Sequence, residues 1–337
     1  MRRVKVFVLL AGMVVSLSSM AADDKFVAPA KKFLTTLDAS VKKKLMFSYD
    51  DNERYNWNFV PTSRRGASMY DLNDTQKKAL EDLLVIFLSE QGYKKATGVM
   101  SLEGVLREVE GRGANDGFRD SKKYFVTFFG EPEMNSLWGW RLEGHHLSLN
   151  FTYFNGVVEA ATPSFLGANP AVVPTGSHKG DQLLKDETEF AFAFVKTLSA
   201  DQLKVAVFSQ TALPEIVTGN DREAKLLEPK GIFYKDLNAD QQKAFIKLLN
   251  LFVKNYELGF SSKLWDKIQK AGVDNLAFAW AGSTTPGSGT YYRIQGPMLQ
   301  IEYDNTQTQA NHVHTAVRDL TNDFAGDVLK EHYKKEH

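Results

Sequence analysis

Apolar side chains recur at two periods along this chain, and each period predicts an element. Leu80, Leu83, Leu84, Phe87 and Leu88 share one helical face in "DLNDTQKKALEDLLVIF" from Asp71, and Phe245, Leu248, Leu249, Phe252 and Val253 repeat that stripe in "DLNADQQKAFIKLLNLF" from Asp236. Both helices open alike: Asn73 with Gln76, and Asn238 with Gln241, have the spacing at which a cap side chain and a glutamine satisfy the first exposed amide groups. Shorter helices are predicted over Ser101 to Val109 and Ser261 to Lys270, each opening at a serine. Elsewhere the period is two. Leu147, Leu149 and Phe151 alternate with His146, Ser148 and Asn150, which predicts a half-buried strand. "YFVTFFG" from Tyr124 and "LAFAWAG" from Leu276 predict further strands ending at glycine turns.

These elements occur twice and in the same order. "FLTTLDASVKKKLMFS" from Phe33 matches "FVKTLSADQLKVAVFS" from Phe194, the two helical stripes match each other, and "WRLEGHHLSLNF" from Trp140 matches "YRIQGPMLQIEY" from Tyr292. The expected fold is therefore α+β: two tandem homologous halves, each of helices followed by an antiparallel sheet, related by pseudo-two-fold symmetry. The halves are expected at 22–161 and 187–319, with a Gly/Pro-rich linker or lid at 162–186 and a C-terminal helix and tail at 320–337. Residues shared by both copies belong to the scaffold. Arg141 matches Arg293, as an ion-pairing or strand-bracing residue, and Gly144 matches Gly296, as a bulge or tight bend. His145 and His146, by contrast, stand opposite Pro297 and Met298, so the histidine pair is not scaffold.

Composition narrows the setting. Arg2, Arg3 and Lys5 precede an apolar run from Val6 to Leu17, and Ser19-Met20-Ala21 offers small residues for cleavage, so 1–21 reads as a signal peptide and the protein as periplasmic or secreted. Arg2-Arg3 alone lacks the rest of a twin-arginine signal. No later stretch is apolar enough for a membrane span. With 41 basic and 41 acidic residues and no long block of one sign, the chain argues against nucleic acid as a partner. It has no cysteine, which removes disulfides, thiolate metal sites and cysteine nucleophiles together.

Histidine then becomes the informative residue. Five of the seven, His145, His146, His312, His314 and His332, fall in two windows of the chain. On a strand His312 and His314 point to the same side and can reach one ion at about 2.0 to 2.1 Å per nitrogen. Adjacent residues of a strand point apart, so His146, on the polar parity, is the expected ligand from the other window, with His145 as an outer hydrogen bonder or proton carrier. A helix beginning after Asn322, with Asp323 or Asp327 near its start, would bring His332 to complete the set. Imidazoles without thiolates suit zinc or copper(II), and a carboxylate such as Glu302 or Asp319 would tilt the choice toward iron or manganese. The plainer alternative is that these are ordinary core and surface histidines, as His178 and His337 are read here, or a pH-sensitive brace without a metal. Arg318 shares the parity of His312 and His314. It is read as an ion-pair partner of Asp319 or as an anchor for a substrate carboxylate or phosphate. Arg64-Arg65 is a solvated turn or an anion site, and Tyr55, Trp57 and Phe59 form a core strand face or line a pocket. No phosphate loop, nucleophile elbow or dinucleotide fingerprint is present.

Three motifs in order, "WGWRLEGHHLSLNFT", "PSFLGANPA" and "NHVHTAVRDLTNDFAGDVLKEHY", give the chain a resemblance over nearly its whole mature length to a family of exported bacterial and fungal proteins known as domain of unknown function 3500. The resemblance implies a shared fold unit and shared motif positions, which here are His145, His146, His312, His314, Arg318, Asp319 and His332. It implies no reaction. Leu320, after the Arg-Asp pair, is a small departure.

The functional expectation is an exported metal-dependent enzyme, most simply a hydrolase of a small-molecule substrate. Zinc would be held by His146, His312 and His314 with one position open and a bound water brought to a pKa of about 7, while His332 either completes the metal set or moves the proton. His145, Arg318 and Asp319 are the expected catalytic groups, and copper or iron are the alternative metals. The competing expectation is a non-catalytic periplasmic metal- or ligand-binding protein that fills the coordination sphere.

Overall fold

The computed structural model describes residues 25–113 and 116–326, and all structural statements concern these. The predicted signal peptide and His332 lie outside them. The helices are α1 (Val27–Thr35), α2 (Ala39–Leu45), α3 (Asp74–Phe87), α4 (Glu90–Val109), α5 (Lys185–Lys196), α6 (Ala200–Ala206), α7 (Ala239–Val253) and α8 (Leu258–Ala271). The strands are β1 (Met46–Phe47), β2 (Ala67–Ser68), β3 (Phe125–Phe129), β4 (Trp138–Gly144), β5 (Leu147–Phe154), β6 (Val157–Ala160), β7 (Ser164–Ala168), β8 (Val207–Ser209), β9 (Ile232–Phe233), β10 (Ala277–Gly282), β11 (Thr290–Gln295), β12 (Leu299–Gln307) and β13 (His312–Asp319).

The helix starts follow the sequence where a cap is present. Asn73 and Gln76 form a reciprocal capping box on α3, and Asn238 and Gln241 form one on α7. Two predicted starts shift. Ser101 lies inside α4, which Ser89 caps, and Ser261 lies inside α8, which Glu257 caps. In each case a cap side chain further upstream accepts from the first-turn amides and lets the helix begin earlier.

All the strands join one mixed sheet, whose main path runs β1-β3-β4-β5-β7-β13-β12-β11-β10-β8. Most neighbours are antiparallel, but β1 lies parallel to β3 and β8 parallel to β10, so the sheet is not wholly antiparallel as the sequence suggested. Nor are there two sheets. Pairing of β7 with β13 makes one, and Ser164–Ala168, expected within a linker, is a buried central strand of it.

The two faces of this sheet differ in chemistry. Leu142, Leu149, Leu166, Val317, Ile301, Ile294 and Phe278 belong to one large core with Phe33, Leu83, Phe87, Phe194, Phe245 and Phe252 of the helices. The register places Arg141, Glu143, Ser148, His312, His314, Arg318, Glu302, Asp304 and Arg293 on the opposite face. That face is buried as well, but under loops. Trp57 and Phe59 from one loop, Ile216 from another and Phe324 near the end pack on Phe165 and Ala316 as a small second core. Buried charges on the loop face have partners of two kinds: Arg141 contacts Glu53 at 2.7 Å and Glu143 at 2.9 Å, whereas Arg293 donates to the Pro229 carbonyl.

Candidate metal centre

His312 and His314 project from β13 toward the loop face, as the strand period requires. The first-half histidines arrive differently from the sequence expectation. His145 and His146 are not strand residues; they form the two-residue turn joining β4 to β5, with Gly144 paired to Leu147 across it. His146 takes a left-handed φ of 62°. Its N–H donates to the Phe59 carbonyl and its carbonyl accepts from Gly167, both at 2.8 Å, which fixes the unusual backbone from two sides. Gly167 has a packing reason: a Cβ there would stand 3.0 Å from His146 Cγ. Gly144 is also explained by close approach, since an added Cβ would meet the Tyr124 ring at 2.3 Å; neither a bulge nor a positive φ is involved.

The turn delivers His146 to the strand histidines. Its Nε2 lies 2.8 Å from His312 Nε2 and 3.2 Å from His314 Nε2. One ligand atom from each of the three lies within 4.8 Å of the others, and all three residues are buried. Two nitrogens each about 2.1 Å from an ion, at angles between square and tetrahedral, stand roughly 3.0 to 3.4 Å apart. The 3.2 Å spacing lies within that range and the 2.8 Å spacing just below it, so the rings need to part by only a few tenths of an ångström to hold an ion. Burial, reinforced by His145, His314 and His312, holds His146 well below the ordinary histidine range, and burial lowers His312 to about 3, with His314, His145 and Arg119 adding to it. Neutral imidazole is the form a cation needs.

Around the triad, Glu215 presents both carboxylate oxygens to His314 Nδ1, at 2.7 and 2.8 Å. Phe59 and Phe165 stack at 4.0 Å, and both rings meet His314 edge-on. His145 stacks on His146 with ring centroids 3.7 Å apart and hydrogen-bonds through Nδ1 to the buried carboxylate of Glu103. His145 also lines a cleft of about 360 Å³ together with Ser63, Arg64, Phe118, Lys123 and Tyr124.

Other expected site residues are placed elsewhere. Arg318 shares the histidine face, but lies four residues beyond His314, about 13 Å along the strand. Its Nε pairs with Asp323 at 2.6 Å and an Nη donates to the Asp221 carbonyl at 2.9 Å, so its ion-pair partner is Asp323, not Asp319. Asp319 points the other way, capping Thr321 and Asn322 and pairing with Lys267 at 3.0 Å. Asp323 opens a short 3-10 helix, Asp323–Ala325, directly after Asn322, and the rest of the expected helix lies outside the described residues. Glu302 accepts from the amides of Val217 and Thr218 and from the Tyr291 hydroxyl, and so serves the loop rather than the histidines. Arg64 is no surface anion site, because its guanidinium donates to the carbonyls of Asn58, Val60, Thr62 and Gly144. Tyr55 ends a short 3-10 helix, and Trp57 and Phe59 follow in a loop rather than a strand; both are buried in the small second core, and Phe59 meets His314.

Two neighbours of the triad escaped the sequence reading. Glu103 carried a signal: it falls on the apolar stripe of α4 with Ala96, Val99 and Leu106, and a carboxylate at such a position needs a partner. Glu215, in an irregular segment, carried none.

The fold and site together define an α+β protein with a buried three-histidine cluster under the loop face of a mixed sheet. The chain belongs to the family described as "Protein of unknown function (DUF3500)", which matches residues 19–326. No curated protein and no solved structure matches it.

Proposed function

We propose that the protein is an exported metal-dependent enzyme, most simply a hydrolase, in which His146, His312 and His314 hold an ion with one position open. The observation that carries this reading is the convergence of three buried imidazole nitrogens, 2.8 and 3.2 Å from a common member, without a carboxylate or thiolate among them. That donor set favours zinc, with copper(II) next; iron is less suited, since Glu302 and Asp319 are engaged elsewhere. An ion there would supply Lewis acidity at neutral pH. His145, between the cleft and His146 and hydrogen-bonded to Glu103, is the residue suited to move a proton between a small-molecule substrate in the cleft and the centre. His332 as a fourth ligand stays within the proposal. Arg318 and Asp319 are better suited to bracing β13 than to chemistry, given their partners.

A second reading, a metal- or ligand-binding protein of the envelope, is favoured by the depth of the cluster: the three histidines are only 4 to 9% exposed. Coordination number separates the two. An open site exchanges water or a small ligand, and a saturated one does not. Elemental analysis of protein purified from its native compartment, followed by zinc titration, tests both; about one equivalent is expected. Less than about a tenth of an equivalent, with no uptake on titration, would remove the basis of either.

Export is proposed on the basic start and apolar run ahead of Ser19-Met20-Ala21. The tandem halves, 22–161 and 187–319, are likewise proposed as copies of one unit. In support, Gln76 and Gln241 both close a capping box and both donate to the carbonyl ending the first helix of their half, that of Thr36 and of Thr197.

A further inference from the structure

We propose that Glu215 is a positioning residue of the metal centre, fixing the tautomer and orientation of His314, and that Glu302 acts through it by holding the loop that carries it. The inference rests on the three-histidine metal reading and adds a group outside the ligand set.

A carboxylate can only accept, so both oxygens of Glu215 on one ring nitrogen require the proton of neutral His314 to sit on Nδ1. Its Nε2 then carries a lone pair, and Nε2 is the atom that faces His146. Without Glu215 either nitrogen could hold the proton, and only the packing of Phe59 and Phe165 would direct the ring. Carboxylate, imidazole and ion in line is the arrangement that raises ligand basicity and fixes its direction. The carboxylate is itself held: Gln307 donates to it at 3.2 Å and the Ile216 amide at 2.8 Å. The next residues of the loop are bound to the sheet by Glu302, which accepts from the Val217 amide at 2.6 Å and the Thr218 amide at 3.0 Å. The chain of contacts thus runs from Tyr291 through Glu302 and the loop to Glu215 and His314. As a mere ion pair Glu215 would contribute little, because its side chain is 35% exposed. Its placement matters for the ring it directs.

The test titrates Co²⁺ and Zn²⁺ into metal-free full-length wild type, Glu215→Gln, Glu215→Ala, Glu215→Asp and His312→Ala, reading affinity, the visible Co²⁺ spectrum and the urea midpoint of each apo protein. Glu215→Gln and Glu215→Ala are expected to bind about ten- to a hundredfold more weakly with an altered Co²⁺ spectrum and nearly unchanged apo midpoints, and Glu215→Asp to recover part of the loss. Wild-type affinity and an unaltered spectrum in Glu215→Gln and Glu215→Ala would overturn the inference while leaving the metal site standing. So would a weakening matched by collapse of the apo midpoint, which marks a structural role. If instead wild type takes up no metal, or His312→Ala binds as well as wild type, the metal reading itself fails and the role of Glu215 falls with it.

Discussion

His146 Nε2 lies 2.8 Å from His312 Nε2, although 166 positions of chain separate the two residues. Replacing either ligand removes one of the three donors that converge among the described residues, so His312→Ala and His146→Ala should each weaken zinc binding by more than about a hundredfold, beyond the loss expected for an outer group. His178→Ala, at an exposed residue paired with Asp181, should leave it unchanged. Zinc titration of the three variants checks this, and equal affinities across the set would show that the triad is not the site.

The same burial predicts how the metal-free protein responds to acid. His312 is lowered to about 3 and His146 lies well below its usual value, so between those values and about 6.5 the unfolded chain binds protons that the folded chain refuses. Each contributes a loss of stability as pH falls below 6.5, at about 1.4 kcal/mol per pH unit per histidine. Asp304 opposes this over part of the window: burial raises it from 3.8 to about 6, so its contribution is full below 3.8 and lost as pH rises through 6. The net loss should therefore steepen from pH 7 to about 6 and then hold nearly constant, at about 1.4 kcal/mol per pH unit in place of the roughly doubled slope the two histidines alone would give. Urea midpoints of apo protein from pH 7 to 5 measure it, and His312→Gln should flatten the slope; an unchanged slope would contradict the assignment of His312 as a buried neutral group.

How far the sequence reached depends on which interactions are local. Caps and stripes are set within a few residues, so α3 and α7 were legible from Asn73, Gln76 and their counterparts. The alternation of β5 was legible too, but not the turn that separates it from β4. Whether Gly144-His145-His146-Leu147 continues a strand or turns depends on Tyr124, Phe59 and Gly167, all distant in sequence. The true turn brings His146 to His312 and His314 by a left-handed backbone that alternation does not foresee. The parity of β13 did foresee that His312 and His314 share a face. The parallel contacts of β1 and β8, and the place of Ser164–Ala168 at the centre of the sheet, come from pairings between distant segments, where a short run bounded by glycine and proline resembles a linker.

Lys95 on α4 and Glu187 on α5 meet at 2.6 Å in the helical layer, with the ammonium also on the Leu251 carbonyl and Asn255. Both side chains are nearly buried, at 11% and 3% exposure. Removing one partner strands the other charge, so Glu187→Gln or Lys95→Met should cost about 3 to 5 kcal/mol, and the double variant much less than the sum. Urea unfolding of the cycle decides it. A strictly additive cycle would mean that the two charges are solvated independently.

Gly144 and Gly104 provide a matched pair for asking whether the β4–β5 turn governs the site. A Cβ at Gly144 would stand 2.3 Å from Tyr124 Cδ1 and 2.9 Å from the Lys123 carbonyl, so Gly144→Ala must push the turn or the ring aside, at about 1 to 3 kcal/mol. Because His145 and His146 follow directly, that displacement should reach the triad and weaken zinc binding along with stability. Gly104 lies within α4 with nothing inside 4 Å of an added Cβ, and Gly104→Ala should instead stabilise by about 0.5 to 1 kcal/mol through helix propensity alone, leaving zinc binding unaltered. Thermal unfolding and zinc titration of both variants separate the effects. Should Gly144→Ala lose stability yet bind zinc as wild type does, the turn would be only a scaffold, and the direction of His146 would have to be set by Phe59 and Gly167 from above and beside it.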